Sequence, residues 1–353
     1  MEDPLKVVYL FGAGATQAEV VRFDPDVDLT MPAVTERIFD RKIPTVSDLN
    51  ALRVYFSGTV SSALNVEHII SLLESLEIEK YRTMASVLRK LFQEDILENL
   101  IKKDNYVSPD LTKALLKFHT LDEVKIHETL NGVISLNYDS LLDIAFQYVF
   151  GEVNYGINCI SETYKTSQSE NSTPLLLKIH GSFNWKQGIP IVISEGMDFL
   201  KTYSSVWIPP SINKSIQNFP FNHIWGEAFE LLNCDLLRVI GCSLNQNDWG
   251  LLDLLFKTQF LSPKPYKIEL VVSPKKCNEI KEKFAFLKNV VAIEDLDIPL
   301  FSDMEFNEKG NYVGEDSNFY ERWLKTKIKS FAKFIQNKDV KEEINRLVAE
   351  EIL

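Results

Sequence analysis

The stretch that most constrains this chain is its first strand and the turn that leaves it, Leu5-Lys6-Val7-Val8-Tyr9-Leu10-Phe11-Gly12-Ala13-Gly14-Ala15-Thr16. Six of the first seven residues are apolar, and two glycines then arrive one residue apart. That pattern is a buried strand entering a tight turn whose backbone is left bare. In an α/β domain such a turn opens a helix, and the exposed amides at a helix start attract phosphate. Two readings follow: a nucleotide-binding turn, or a strand–helix turn that needs glycine only for its geometry.

Further apolar runs of strand length occur at 132–136, 174–179, 235–241, 266–272 and 290–293. Helical segments such as 141–150 and 277–287 alternate with them, which predicts an α/β fold: a Rossmann-like, doubly wound parallel sheet covered on both faces. Residues 1–30 and 127–300 form this core. Residues 31–126 read as a helical insertion, with Asn65 as a cap ahead of an apolar helical period and further helices over 81–101 and 111–124. Residues 301–353 read as a C-terminal helical tail, in which Tyr320, Trp323, Leu324, Ile328, Phe331, Phe334 and Ile335 form a stripe at helical spacing. The insertion and the tail are the expected assembly surfaces, and a homo-oligomer is expected.

Charge and cysteine usage narrow the function. A formal net charge of −12 over 353 residues counts against direct nucleic-acid binding through phosphate neutralisation. The four cysteines, Cys159, Cys234, Cys242 and Cys277, contain no C-x-x-C pair, so neither a zinc ribbon nor a disulfide framework is expected. There is no signal-peptide pattern and no apolar run approaching the roughly 20 residues of a membrane helix. A cytoplasmic protein with no membrane association and no bound metal is expected.

Three later turns carry dense polar chemistry immediately after strands: Asn137-Tyr138-Asp139, His180-Gly181-Ser182-Phe183-Asn184-Trp185, and Gly241-Cys242-Ser243 leading on to Asp248. In an open α/β sheet, ligands bind outside the carboxyl ends of strands at the switch in strand order, so these turns and the first one are expected to line a single crevice. Each also has a purely structural reading. Asn137 and Asp139 suit the cap of the helix from Ser140, His180 suits a satisfied buried histidine, and Asp248 suits another helix cap. The opening turn departs from the G-x-G-x-x-G dinucleotide fingerprint, because Gln17 stands at the third glycine position. No P-loop lysine follows it, and no G-x-S-x-G elbow occurs in the chain.

Taken in order, Gly12-Ala13-Gly14-Ala15-Thr16, Asn137-Tyr138-Asp139, His180-Gly181-Ser182 and Gly241-Cys242-Ser243 resemble the motifs of the sirtuin superfamily. Leu136-Asn137-Tyr138-Asp139-Ser140-Leu141-Leu142, Lys178-Ile179-His180-Gly181-Ser182 and Asn65-Val66-Glu67 resemble the divergent bacterial sirtuin-like domain found in anti-phage defence systems as an NAD-cleaving effector. The resemblance implies NAD as substrate, with Asn137 and His180 catalytic. It also implies that Gly12, Ala13, Gly14, Thr16, Asp139, Gly241 and Ser243 contact the dinucleotide, the amides of 12–16 holding its pyrophosphate. The sirtuin zinc module of paired C-x-x-C motifs is missing, and Thr16 replaces the usual serine. Those departures turn the expectation from deacylation to hydrolysis of NAD. By the same resemblance the partner is a HerA-like ATPase or, alternatively, a short Argonaute. A different class of function, a silent NAD- or ADP-ribose-binding sensor or scaffold, fits the same residues.

Overall fold

Buried residues run without alternation along the central strands. Val7 to Phe11 are all buried, and so is every residue of the strand Leu236–Ile240. Strands buried on both faces belong to a sheet sandwiched between helices. The structure, a computed structural model, describes residues 4–43, 46, 48–50, 54, 64–102, 105–120, 128–161, 165–166, 173–188, 190–194, 205–208, 216–244, 248–271 and 274–293.

Its strands are β1 (Leu5–Phe11), β2 (Ile101–Lys102), β3 (Asn105–Tyr106), β4 (Glu128–Ser135), β5 (Cys159–Ser161), β6 (Leu175–Lys178), β7 (Gly181–Lys186), β8 (Ile191–Ile193), β9 (Ser205–Trp207), β10 (Leu236–Ile240), β11 (Lys267–Val271) and β12 (Val290–Ile293). The helices are α1 (Ala13–Phe23), α2 (Met31–Asp40), α3 (Val66–Ser75), α4 (Glu79–Leu100), α5 (Asp110–Phe118), α6 (Leu141–Phe150), α7 (Phe221–Leu231), α8 (Trp249–Leu261) and α9 (Pro274–Lys283).

The central sheet runs β12-β11-β10-β1-β4-β6, with every neighbouring pair parallel. Numbered along the chain, its six strands lie in the order 3-2-1-4-5-6 of a Rossmann-like doubly wound fold. Chain order reverses between β1 and β10, so the crevice at that switch point opens beyond Phe11 and Ile240. The β2–β3 pair is a short antiparallel ribbon.

A second, four-stranded sheet, β5-β8-β7-β9, lies outside the sequence expectations. The His180-Gly181-Ser182 stretch was expected as a loop. Only the turn at 179–180 is one, and Gly181 to Lys186 is a strand with five buried residues. Its partners β8 and β9 are only three residues long, too short to stand out as apolar runs.

Helices α2, α3 and α4 enclose a separate core of Val34, Ile38, Ile69, Ile70, Leu73, Leu88 and Phe92, to which Phe183 of β7 is added. Asn65 caps α3 as expected: its Oδ1 accepts from His68 N at 3.1 Å, and His68 Nδ1 accepts from Asn65 N at 3.3 Å. Arg37 of α2 grips Asp95 of α4 at 2.7 Å. Helix α5 packs elsewhere, contributing Leu111, Leu115 and Leu116 to the main core beside α1 and α6. The expected tail over 301–353 lies outside the described residues. Among the described residues, no helix is long and apolar enough to cross a membrane, and all four cysteines are free thiols.

One buried polar ladder crosses the central sheet. Tyr9, Arg238 and Glu269 are register partners on β1, β10 and β11. Arg238 donates from Nε to Glu269 at 2.9 Å and from Nη1 to the Tyr9 hydroxyl at 2.9 Å, and Nη2 donates to Glu128 at 3.1 Å. The Tyr9 hydroxyl in turn donates to His119 Nε2 at 2.7 Å. Burial, with the Arg238 charge adding to it, pulls His119 from 6.5 down to about 3. The native state therefore holds His119 neutral where the unfolded chain takes up a proton, so acid favours unfolding. Stability from this group is complete above the unfolded value and is lost as pH falls toward the folded one. Thermal unfolding followed from about pH 7.5 to about pH 5 is expected to show a falling midpoint, and His119→Gln is expected to flatten that slope.

Candidate functional site

The turns after β1 and β10 touch backbone to backbone. Gly12 N donates to Ile240 O at 2.9 Å, and Gly14 N donates to Gly241 O at 2.8 Å. A Cβ on Gly12 would sit 2.6 Å from Gly241 O; one on Gly241 would sit 2.1 Å from Ala15 N, at a φ of +64° that disfavours any side chain. The geometric reading of these glycines is therefore correct in itself. It also limits the phosphate reading: with Ala15 N donating to Gly12 O at 2.9 Å, the amides of residues 12, 14 and 15 serve the protein. Ala13, exposed at the first position of α1, is where the helix start meets solvent.

Gln17, the residue in place of a third glycine, has a task of its own. Its Nε2 donates to Val27 O at 2.7 Å, and its Oε1 accepts from Leu29 N at 2.5 Å. The loop from 24 to 30 is thereby pinned to α1, which brings Leu29 and Met31 against the crevice.

Beyond β4, Asn137 is 8% exposed. Its Nδ2 donates to Gly12 O at 3.0 Å and to Thr16 Oγ1 at 2.9 Å, and Thr16 Oγ1 donates to Asp139 Oδ2 at 2.7 Å. The chain Asn137–Thr16–Asp139 welds the first turn to the β4 turn. It leaves the Asn137 carbonyl without a donor among the described residues, an acceptor facing the cavity. Asp139 also accepts from Leu141 N at 3.0 Å, so its capping role and its link to Thr16 coexist. Burial raises the Asp139 carboxyl above the usual range, against the opposing charge of Lys178. Lys178, fully buried at the end of β6, fixes this loop from below by donating to Asp139 O at 2.5 Å and pairing with Asp143 at 2.7 Å.

His180 occupies the turn between β6 and β7 and is 2% exposed. Its carbonyl accepts from Ile208 N, and its ring stacks on Tyr138 with centroids 6.1 Å apart and tilts against Trp225 at 6.3 Å. The residue after it has φ +74°, and a Cβ there would meet Val206 O at 2.3 Å, so only glycine fits. Asp248 sits at the N-cap position of α8 but makes no side-chain capping bond. Its Oδ2 lies instead 3.5 Å from His180 Nε2, which corrects the sequence expectation of a plain helix cap.

These groups line one cavity of about 240 Å³. Gly12, Ala13, Thr16, Asn137, Asp139, His180, Gly241 and Ser243 all reach it; Gly14 lies behind, against Gly241. The opposite wall comes from the helical module: Met31, Val34, Glu67, Phe92 and Ile96. Glu67, Asp248 and Tyr138 are the polar lining residues to which sequence reasoning gave no role at the site. The motifs that contain them were visible, but nothing in a single sequence distinguishes a first-turn or capping carboxylate from one turned into a site.

A family model described as a SIR2-like domain matches residues 131–277, a span that includes Asn137, Asp139, His180, Gly241 and Ser243. No curated protein matches the chain. A solved structure described as "The Structural basis of Sirtuin Substrate Affinity" aligns with 76% of this chain and 82% of its own at 13% identity, with a TM-score of 0.34.

The Asn137–Thr16–Asp139 chain makes a measurable demand. Thr16→Ser keeps both hydrogen bonds and is expected to cost under about 1 kcal/mol. Thr16→Val removes a donor from a buried carboxyl and an acceptor from a buried amide, and should cost about 2–4 kcal/mol in urea unfolding.

Proposed function

We propose that this chain hydrolyses NAD to nicotinamide and ADP-ribose. The observation that carries the reading is the single cavity at the β1/β10 switch point, into which Asn137 and His180 both open beside the glycine turns. The SIR2-like match over 131–277 supports a dinucleotide of this class as the occupant. The start of α1 at Ala13 suits its pyrophosphate, and Ser243, exposed at the rim, suits the adjoining phosphate or ribose.

The chemistry follows from the groups present. The bond between C1′ of the nicotinamide ribose and the ring nitrogen breaks, and its electron pair stays with nicotinamide. C1′ becomes oxocarbenium-like, and a water oxygen forms the new bond. The Asn137 carbonyl is the acceptor that orients this water or an adjacent ribose hydroxyl. Asp248 beside His180 Nε2 favours the tautomer protonated there. The Nδ1 lone pair is then free to take the water's proton and return it to solvent. Aromatic packing of the imidazole between Tyr138 and Trp225 limits its motion.

An NAD hydrolase without restraint is toxic. The reading therefore extends to an effector that depletes NAD in bacterial anti-phage defence and is held in check by self-assembly or a separate subunit. The resemblance of the stretches 136–142, 178–182 and 65–67 to defence-system domains supports this, with a HerA-like ATPase as the first partner to test and a short Argonaute as the second.

Nicotinamide release from NAD is the decisive measurement, made on the purified chain and then with its neighbouring gene products. Turnover is expected, with Asn137→Ala and His180→Ala each lowering it by about a hundredfold or more. Dinucleotide binding in calorimetry without product in any of these mixtures would identify a silent sensor instead.

A further inference from the structure

Glu67 stands in the first turn of α3, 6% exposed, on the wall of the cavity opposite the glycine turns. Its backbone is fixed on three sides. The Asn65–His68 capping box holds the helix start, Val66 N donates to Thr35 Oγ1 at 3.1 Å, and Ser71 Oγ donates to Glu67 O at 2.8 Å. Among the described residues, its carboxylate has no hydrogen-bond or ion-pair partner. The other two cavity carboxylates do: Asp139 is bonded to Thr16 and Leu141, and Asp248 faces His180. No lysine or arginine lines the cavity among the described residues.

A carboxylate on the wall of a cavity that the protein leaves without a hydrogen-bond partner is a group for a ligand to complete. A carboxylate accepts hydrogen bonds and attracts positive charge but donates nothing. Around Glu67 the cavity is aromatic and apolar, with Phe92 edge-on to Tyr138 at 6.0 Å and Met31 and Ile96 beside them. Both Glu67 and Asp248 act electrostatically on the buried Tyr138 phenol. A flat, cationic, aromatic group fits this environment: acidic on one side, apolar around its rim, and without a competing cation.

We infer that Glu67 is the residue that recognises the positive charge of the nicotinamide ring, and so selects oxidised over reduced dinucleotide. The inference rests on the NAD reading above and names the group that receives its nicotinamide end. The same charge favours the oxocarbenium-like centre that forms when the ring leaves. It also sets Glu67 apart from the start of α1 at Ala13, the position suited to the pyrophosphate.

Two ligands test it in calorimetry: carba-NAD, which is cationic and cannot be hydrolysed, and NADH, whose ring is neutral. The wild-type chain is expected to bind carba-NAD about tenfold or more tighter than NADH. In Glu67→Gln that preference should collapse, through weaker carba-NAD binding and with NADH nearly unchanged. Because the Glu67 carboxylate makes no hydrogen bond among the described residues that glutamine would lose, and glutamine keeps the shape, the unliganded variant should unfold at the same temperature as wild type or higher. A purely structural glutamate predicts the opposite, a lower midpoint and equal loss for both ligands, and either result overturns the assignment. Failure of the wild-type chain to bind either dinucleotide overturns the NAD reading and this inference with it. Binding of both with no preference overturns this inference alone.

Discussion

The contact on which the rest of this structure depends joins backbone to backbone. The turn after β1 and the turn after β10 cross so closely that neither Gly12 nor Gly241 has room for a Cβ. Two hydrogen bonds, from Gly12 to Ile240 and from Gly14 to Gly241, lock the crossing. This approach fixes where the crevice opens, how far α1 stands from it, and which atoms remain to meet a ligand. The residues that give the site its chemistry are then hung from this junction. Asn137 bonds to Gly12 O, Thr16 joins Asn137 to Asp139, and Lys178 secures the loop that carries them.

The cavity is built from two unlike halves. One half is the set of strand ends, whose positions follow from sheet register and vary little. The other is the helical module of α2, α3 and α4, with its own core, which meets the small sheet through Phe183 and through Trp207 stacked on Phe92. The first half supplies donors, the histidine and the glycine turns. The second supplies the apolar wall and one isolated carboxylate. Loop 24–30, pinned by Gln17, is the hinge of chain by which one half leads into the other.

Much of this was legible in the sequence, for physical reasons that differ by element. The parallel strands announced themselves because burial on both faces demands uninterrupted apolar residues, and β12 was found at its observed bounds. Asn65 was readable as a cap because its side chain acts on its own helix. The gathering of Gly12, Asn137, His180 and Ser243 followed from the rule that strand ends share an edge. What stayed hidden depends on contacts distant in sequence. Asp248 looks like a cap whether it bonds its own helix or faces a histidine on another turn. Glu67 looks like any favourable acid in a first helical turn. Strand β7 is set by partners three residues long, and α5 reads as part of the insertion although its leucines belong to the main core.

The two turns that make the crevice are as far apart along the chain as Tyr9 and Arg238, which are separated by 229 residues. Because β10 is fourth of the six core strands in chain order, the junction does not exist until most of the protein has been synthesised. A nascent or truncated chain that stops before β10 lacks Gly241, Ser243 and Asp248 together. The order of translation is thus also the order in which the walls of the cavity become available. The strand ends that face β1 across the switch point arrive only with the strand that closes the middle of the sheet.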